Sequence, residues 1–190
     1  MWEYFQMLSG ITIEKPLGVK NMKNFLLFTS FFLLILCQGF AGEEITGFWK
    51  TINEKTGRAE CTIAIYEYQG KYYGRIVATF DEQGEIADTI DHPHDRAPGV
   101  LGNPYYAGLD IIWNLQQKGT KYTNGKILDP EKGRVYGAEL WRQDDNLVVR
   151  GKLLCFGRNQ IWLPVNKEEL SRLFTKANLP AFIPNIPKVK

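Results

Sequence analysis

Two histidines open the chemical reading of this chain: His92 and His94, the only ones present, set in Asp91-His92-Pro93-His94-Asp95-Arg96. Imidazole with carboxylate is a zinc-type donor set, and two residues at i, i+2 in extended chain can face one side. Asp88, Asp91 and Asp95 offer the carboxylates. Against a metal site stand the rigid Pro93 and the ordinary polarity of loops, so a solvated loop is the expectation. In-strand carboxylates Glu67, Asp110 and Glu139 invite an acid–base reading. None has a partner at a compelling spacing, and outward-facing charges are expected. The segment after residue 41 has no Gly-x-Ser-x-Gly, phosphate loop or Cys–His signature. Nothing in the chain calls for a cofactor. More informative are the aromatics Tyr72, Trp113, Tyr136 and Trp141. Tyrosine supplies both the apolar wall and the polar handle of a ligand cavity.

These residues need a scaffold, and composition narrows it. The chain has 190 residues, 44% hydrophobic and 23% charged, with a net charge of +2. That is enough for one packed domain and gives no electrostatic reason for a nucleic-acid partner. Its 18 glycines and 9 prolines favour a turn-rich β chain.

The N-terminal part reads as a targeting segment. Met22-Lys23-Asn24 precedes the apolar run 25–36, and Gly39 and Ala41 form a small-x-small exit. Residues 1–21 are expected to be a mis-assigned extension, 22–41 a signal peptide and 42–165 the β domain. The run is short for a membrane span. The expected location is periplasmic or secreted, with no membrane span in the mature chain. Lipid anchoring through Cys37 is an alternative, disfavoured by the bulky Leu36 before it.

From Ile45 to Val165 the pattern is strands and turns. Strands are expected at 45–52, 59–68, 71–80, 109–116, 121–128, 134–142, 146–154 and 157–164. On the third, Tyr72, Gly74, Ile76, Ala78 and Phe80 share one side. On the fourth, Leu109, Ile111, Trp113 and Leu115 alternate with Asp110, Ile112, Asn114 and Gln116. Gln69-Gly70 reads as a two-residue hairpin turn, and Gly133 as the left-handed residue closing the Asp129–Gly133 loop. Residues 81–106 read as a long irregular loop. Eight sequential strands with short turns imply an up-and-down barrel, an all-β fold whose closure removes sticky edges. Asn166 caps a short C-terminal helix with Leu170, Leu173 and Phe174 on its apolar face, ending near Ala177. An extended tail completes the segment 166–190. In this strand order Cys61 and Cys155 lie three strand spacings apart, roughly 14 Å at about 4.8 Å each. A disulfide needs Cα atoms within about 7 Å, so two free thiols are expected.

Several stretches, in order, resemble a family of exported bacterial proteins, domain of unknown function 2147. They are Gly47-Phe48-Trp49; Tyr68-Gln69-Gly70-Lys71-Tyr72-Tyr73-Gly74-Arg75; Gly125-Lys126-Ile127-Leu128-Asp129-Pro130-Glu131-Lys132-Gly133-Arg134-Val135-Tyr136; Leu147-Val148-Val149-Arg150-Gly151; and Gly157-Arg158-Asn159-Gln160-Ile161-Trp162. The resemblance spans about residues 45–165. It implies a lipocalin-like eight-stranded barrel that binds a small, apolar or amphipathic ligand, with no established enzymatic activity. It also implies structural roles for Gly47, Trp49, Gly133 and Trp162, with Trp49 plugging the closed end beside an arginine, for which Arg150 is a candidate. The sequence departs from the family in carrying His92 and His94 where a cysteine pair is common, and Leu163-Pro164 where basic residues are common. The expected cavity lining is Tyr72, Ile76, Trp113, Tyr136 and Trp141. Two other readings stay open: an exported hydrolase or isomerase using the His92–Asp95 loop, and an envelope interaction module with a filled barrel.

Overall fold

The computed structural model describes residues 43–154, 156–173 and 181–190. The expected extension, signal peptide and Cys37 lie outside the described residues, as do Cys155 and the expected helix end at Ala177. Among the described residues nine strands form one antiparallel sheet: β1 (Gly47–Ile52), β2 (Ala59–Tyr68), β3 (Lys71–Phe80), β4 (Ile86–Thr89), β5 (Asp110–Lys118), β6 (Lys121–Asp129), β7 (Arg134–Gln143), β8 (Asn146–Leu153) and β9 (Phe156–Pro164). The order β2-β1-β9-β8-β7-β6-β5-β3, with β2 also paired to β3, closes eight of them into a barrel. β4 is the addition. It lies in the stretch expected to be irregular and hydrogen-bonds to the end of β3, where four residues are too few to display a period.

Tight turns define one end of the barrel. Tyr68 pairs with Lys71, Lys118 with Lys121, and Gln143 with Asn146, each across two residues. Gln69 and Gly70 both take positive φ, as a hairpin turn matched to strand twist requires. The other end carries the β1–β2 and β6–β7 turns, the β8–β9 turn and the long connection from β3 to β5.

Cross-strand register identifies the inner wall. Gly47, Ile65, Gly74, Ile112, Ile127 and Tyr136 stand in one row, and Tyr122, Leu140 and Val149 in another. The alternation expected on β3 breaks at Val77, where the register slips by one residue. Ala78 and Phe80 therefore turn outward, into a second apolar cluster with Phe48, Ala64 and Leu173. The short helix α1 (Lys167–Leu173) packs there, outside the barrel, with Lys50 ion-paired to Glu169. Asn166 Oδ1 accepts from the Glu169 N–H at 2.8 Å, the expected cap.

Strand β5 departs further. Its register slips twice against β3, and Asn114 sits at φ 60°. These bulges keep Leu115 inside, opposite Tyr72, as expected, but put Ile112 opposite Gly74 in place of Trp113.

Candidate functional site

The tight-turn end is sealed. Trp49 and Trp162 face inward and are buried, and Ile45, just before β1, is buried with them. Trp49 Nε1 donates to the Ile45 carbonyl at 2.8 Å, and the Tyr122 hydroxyl reaches the Glu43 carbonyl at 3.4 Å. The cation over Trp49 is Arg142, 4.9 Å from the ring centroid, and not Arg150. Arg142 shares the inner row with Leu147 and Trp162, whereas Arg150 stands in the outer row with Glu139 and Asn159.

The opposite half of the interior is lined differently. Gly125, Ala138 and Gly151 are register partners across β6, β7 and β8, leaving one stretch of inner wall with almost no side chain. Leu115 fills the space over Gly125: a Cβ there would lie 2.5 Å from it. Around Gly151, by contrast, the nearest atom to a built Cβ is Ile127 Cγ2 at 3.9 Å. Nearer the loop end the inward-facing Thr51, Cys61, Ile127 and Tyr136 keep partial exposure; at the tight-turn end Trp49, Tyr122, Leu140, Leu147 and Trp162 are buried, while Tyr72 and Arg142 keep partial exposure. At the loop end these part-exposed residues and the short β1–β9 pairing mark a mouth. On the Cys61 side, Thr79 Oγ1 is buried without a hydrogen-bond partner, a polar group available to a ligand. Burial pushes the Cys61 thiol up to about 12, with Glu60 adding to the effect, so it behaves as a small apolar group. Cys61 is a free thiol, as expected.

The barrel seam widens the mouth. β1 meets β9 only at Trp49–Pro164 and Lys50–Leu163. Beyond them the inner-row residues Gln160, Arg158 and Phe156 of β9 are exposed. Arg158 bridges the gap to Glu54 of the β1–β2 turn at 2.5 Å.

Of the residues expected to line a cavity, Tyr72, Ile76 and Tyr136 stand on the inner face. Tyr72 lies at the sealed end, edge-on to Tyr122 at 4.7 Å. Burial raises both hydroxyls, Tyr122 to about 12. Trp113 and Trp141 do not line the interior. Trp113 stands in register with Lys126 and Gly137, and Trp141 with Lys121 and Val148, in rows adjacent to the inner ones. Lys121 covers the Trp141 ring at 4.8 Å. Gly133 takes φ 63° and packs against the Gly99 carbonyl, a close approach that a side chain would block.

His92 and His94 belong to the loop's own architecture. Asp88, buried, accepts from the His94 and Asp95 backbone N–H groups at 3.0 and 2.9 Å and meets His94 Nδ1 at 3.0 Å. Among the described residues no group of three or more His, Cys, Asp and Glu is placed to hold a metal.

Asp110 points outward, as expected, yet it is buried. Its carboxylate accepts from Arg75 Nε and Nη2 at 2.9 and 2.7 Å, from the Tyr66 hydroxyl at 2.9 Å and from the Asn185 N–H at 2.7 Å. The C-terminal tail covers it: Phe182 stacks under Arg75 and edge-on to Tyr66, and the Ile183 carbonyl accepts from Arg75. Burial, and then the Asp110 charge, push the Tyr66 hydroxyl well above its ordinary value. Burial alone would lower Arg75, but Asp110 outweighs it and keeps the guanidinium charged. Every oxygen of this carboxylate is committed, so the cluster clamps the tail and offers no free acid or base. Beside it, a groove of about 420 Å³ runs outside the barrel between residues 100–110 and the tail residues 185–188.

A closed eight-stranded antiparallel barrel, plugged at one end by a tryptophan under an arginine, defines a lipocalin-like protein. A solved structure described as "Protein HP1028 from the human pathogen Helicobacter pylori belongs to the lipocalin family" superimposes with a TM-score of 0.53 at 20% identity, covering 68% of this chain and 88% of that one. The chain belongs to the family described as "Uncharacterized protein conserved in bacteria", domain of unknown function 2147, whose pattern matches residues 47–163. No curated protein matches the sequence.

Proposed function

We propose that this protein is an exported carrier that binds a small apolar or amphipathic ligand in the loop-end half of its barrel. The observation that carries the reading is the bare wall at Ala138 and Gly151, beyond the Gly125 that Leu115 covers, opening past the part-exposed Ile127 and Tyr136. Small residues in register leave room for a guest, and eight strands enclose space for one small ligand. Affinity comes from apolar burial, roughly 25 cal/mol per Å² removed from water. Tyr136, Thr79 and Arg158 supply polar handles near the mouth. Export rests on the basic start, apolar run and small-residue exit of residues 22–41.

An apolar fluorescent probe, displaced by fatty acid, tests this. The native protein binds the probe, and Gly151→Trp, whose Cβ would stand 3.9 Å from Ile127 Cγ2 and whose ring would occupy the proposed site, abolishes binding, with thermal unfolding checking that the variant is folded. Undiminished probe binding by a folded Gly151→Trp variant would refute the location.

A further inference from the structure

The β8–β9 hairpin breaks the rule that the other two-residue turns of the barrel obey. Those turns place Gln69 and Gly70, Gly119 or Asp144 at positive φ, polar residues or glycine as the geometry demands. Between the paired Leu153 and Phe156, the residue at φ 55° is Leu154. A leucine pays a steric penalty there that Asn or Gly would avoid. It gains nothing from packing, since it is 94% exposed, and its neighbours Leu153 and Phe156 are 59% and 78% exposed. Val135 on the adjoining strand β7 is exposed as well. An apolar side chain held in a poor backbone conformation and in full contact with water is explained by a partner outside the chain.

The charges around the tip indicate what that partner is. Residues 146–164 contain Arg150, Lys152 and Arg158 and no acidic residue. Lys152 is matched by Glu139, Arg158 by Glu54 and, on the adjoining β6–β7 turn, Lys132 by Asp129; among the described ion pairs Arg150 and the nearby Arg134 have no acidic partner, against the one carboxylate Glu131, which leaves the rim net positive. Apolar residues at an apex with a cationic rim match a bilayer with anionic headgroups: the tip enters the acyl boundary and the cations remain at phosphate level. The tip also stands beside the mouth, because Leu153 and Phe156 continue the inner rows of β8 and β9 past the rim.

We propose that the β8–β9 tip docks the protein on the surface of an anionic lipid bilayer, with Leu153, Leu154 and Phe156 inserted and Arg134 and Arg150 at the headgroups. Delivery of a ligand to the adjacent mouth rests on the carrier reading; the docking does not.

Vesicle co-sedimentation tests it, using the exported protein with phosphatidylcholine vesicles and with phosphatidylcholine–phosphatidylglycerol vesicles. The native protein should bind the anionic vesicles about 10-fold more tightly than the neutral ones. Leu154→Asn should weaken binding about 10-fold, the loss of one inserted leucine, and adding Phe156→Gln should weaken it further. The melting temperature of Leu154→Asn should hold or rise, because Asn suits the left-handed turn. Native and Leu154→Asn proteins binding alike, binding to neither vesicle, or a dimer dispersed by Leu154→Asn would each overturn the proposal. Probe binding in vesicle-free solution, unchanged in Leu154→Asn, reads the carrier function separately: its absence from the native protein removes the carrier reading and leaves the docking result intact.

Discussion

Replacing Asp110 by alanine should be among the most damaging single changes in this barrel. The carboxylate is fully buried and receives four hydrogen bonds, two of them from Arg75, whose side chain is only 16% exposed. Truncation leaves a guanidinium confined under Phe182 with no counter-charge, and orphans the Tyr66 hydroxyl and the Asn185 N–H. Breaking a buried pair from one side costs about 3–5 kcal/mol. At roughly 2–4 °C per kcal/mol for a domain of this size, the melting temperature should fall by about 6–20 °C. The double variant Arg75→Met/Asp110→Leu removes both charges and should recover most of the loss. Thermal unfolding of the native protein, Arg75→Met, Asp110→Leu and the double variant gives the coupling energy directly. Limited proteolysis should show the tail 181–190 cleaved faster in Asp110→Ala. A loss below about 1 kcal/mol, the range of exposed pairs, would show that the clamp carries no load and would refute the argument.

Other consequences are as direct. Gly125→Ala should destabilise by about 1–3 kcal/mol, because its Cβ would lie 2.5 Å from Leu115, whereas Gly151→Ala should be near neutral in the same denaturant titration. With its pKa raised from 9.0 to about 12, Cys61 in a Cys155→Ser background should react with iodoacetamide at pH 8 at least roughly 100-fold more slowly folded than unfolded. Cys61 and Tyr122 both ionise more readily in the unfolded chain; the stability they contribute is intact below about pH 9 and lost as pH rises toward about 12, visible as an alkaline fall in melting temperature. Intact mass of the exported protein should begin at Gly42; a lipid-modified Cys37 at the N-terminus would contradict it.

The strands were legible where period and turn chemistry agree. Gln69-Gly70 and the Asp129–Gly133 loop announce their turns, and Asn166 its helix. Bulges were not, because a single inserted residue leaves composition unchanged and reverses the faces beyond it. Val77 turned Ala78 and Phe80 outward, and the slips in β5 exchanged Trp113 for Ile112 while leaving Leu115 inside. Asn114 is the one local signal, since asparagine tolerates left-handed backbone. Trp141 belongs to the outer row because its strand also supplies Ala138 and Leu140, buried but less conspicuous than a tryptophan. The bare wall escaped notice because glycine and alanine mark a cavity only by what they omit, and their alignment is a property of register between strands. The tail clamp joins Asp110 to Asn185, a separation of 75 residues that no local pattern spans.

The central claim is that a ligand occupies the barrel's loop-end half. Methyl-labelled protein titrated with fatty acid tests it most directly by NMR. The account predicts shift changes and ligand contacts at Ile127, Ile112 and Leu115, with Val100 and Leu109 of the outer groove little affected. Contacts confined to Val100, Leu109 and Ile186, or no perturbation of the inner methyl groups at saturating ligand, would contradict it.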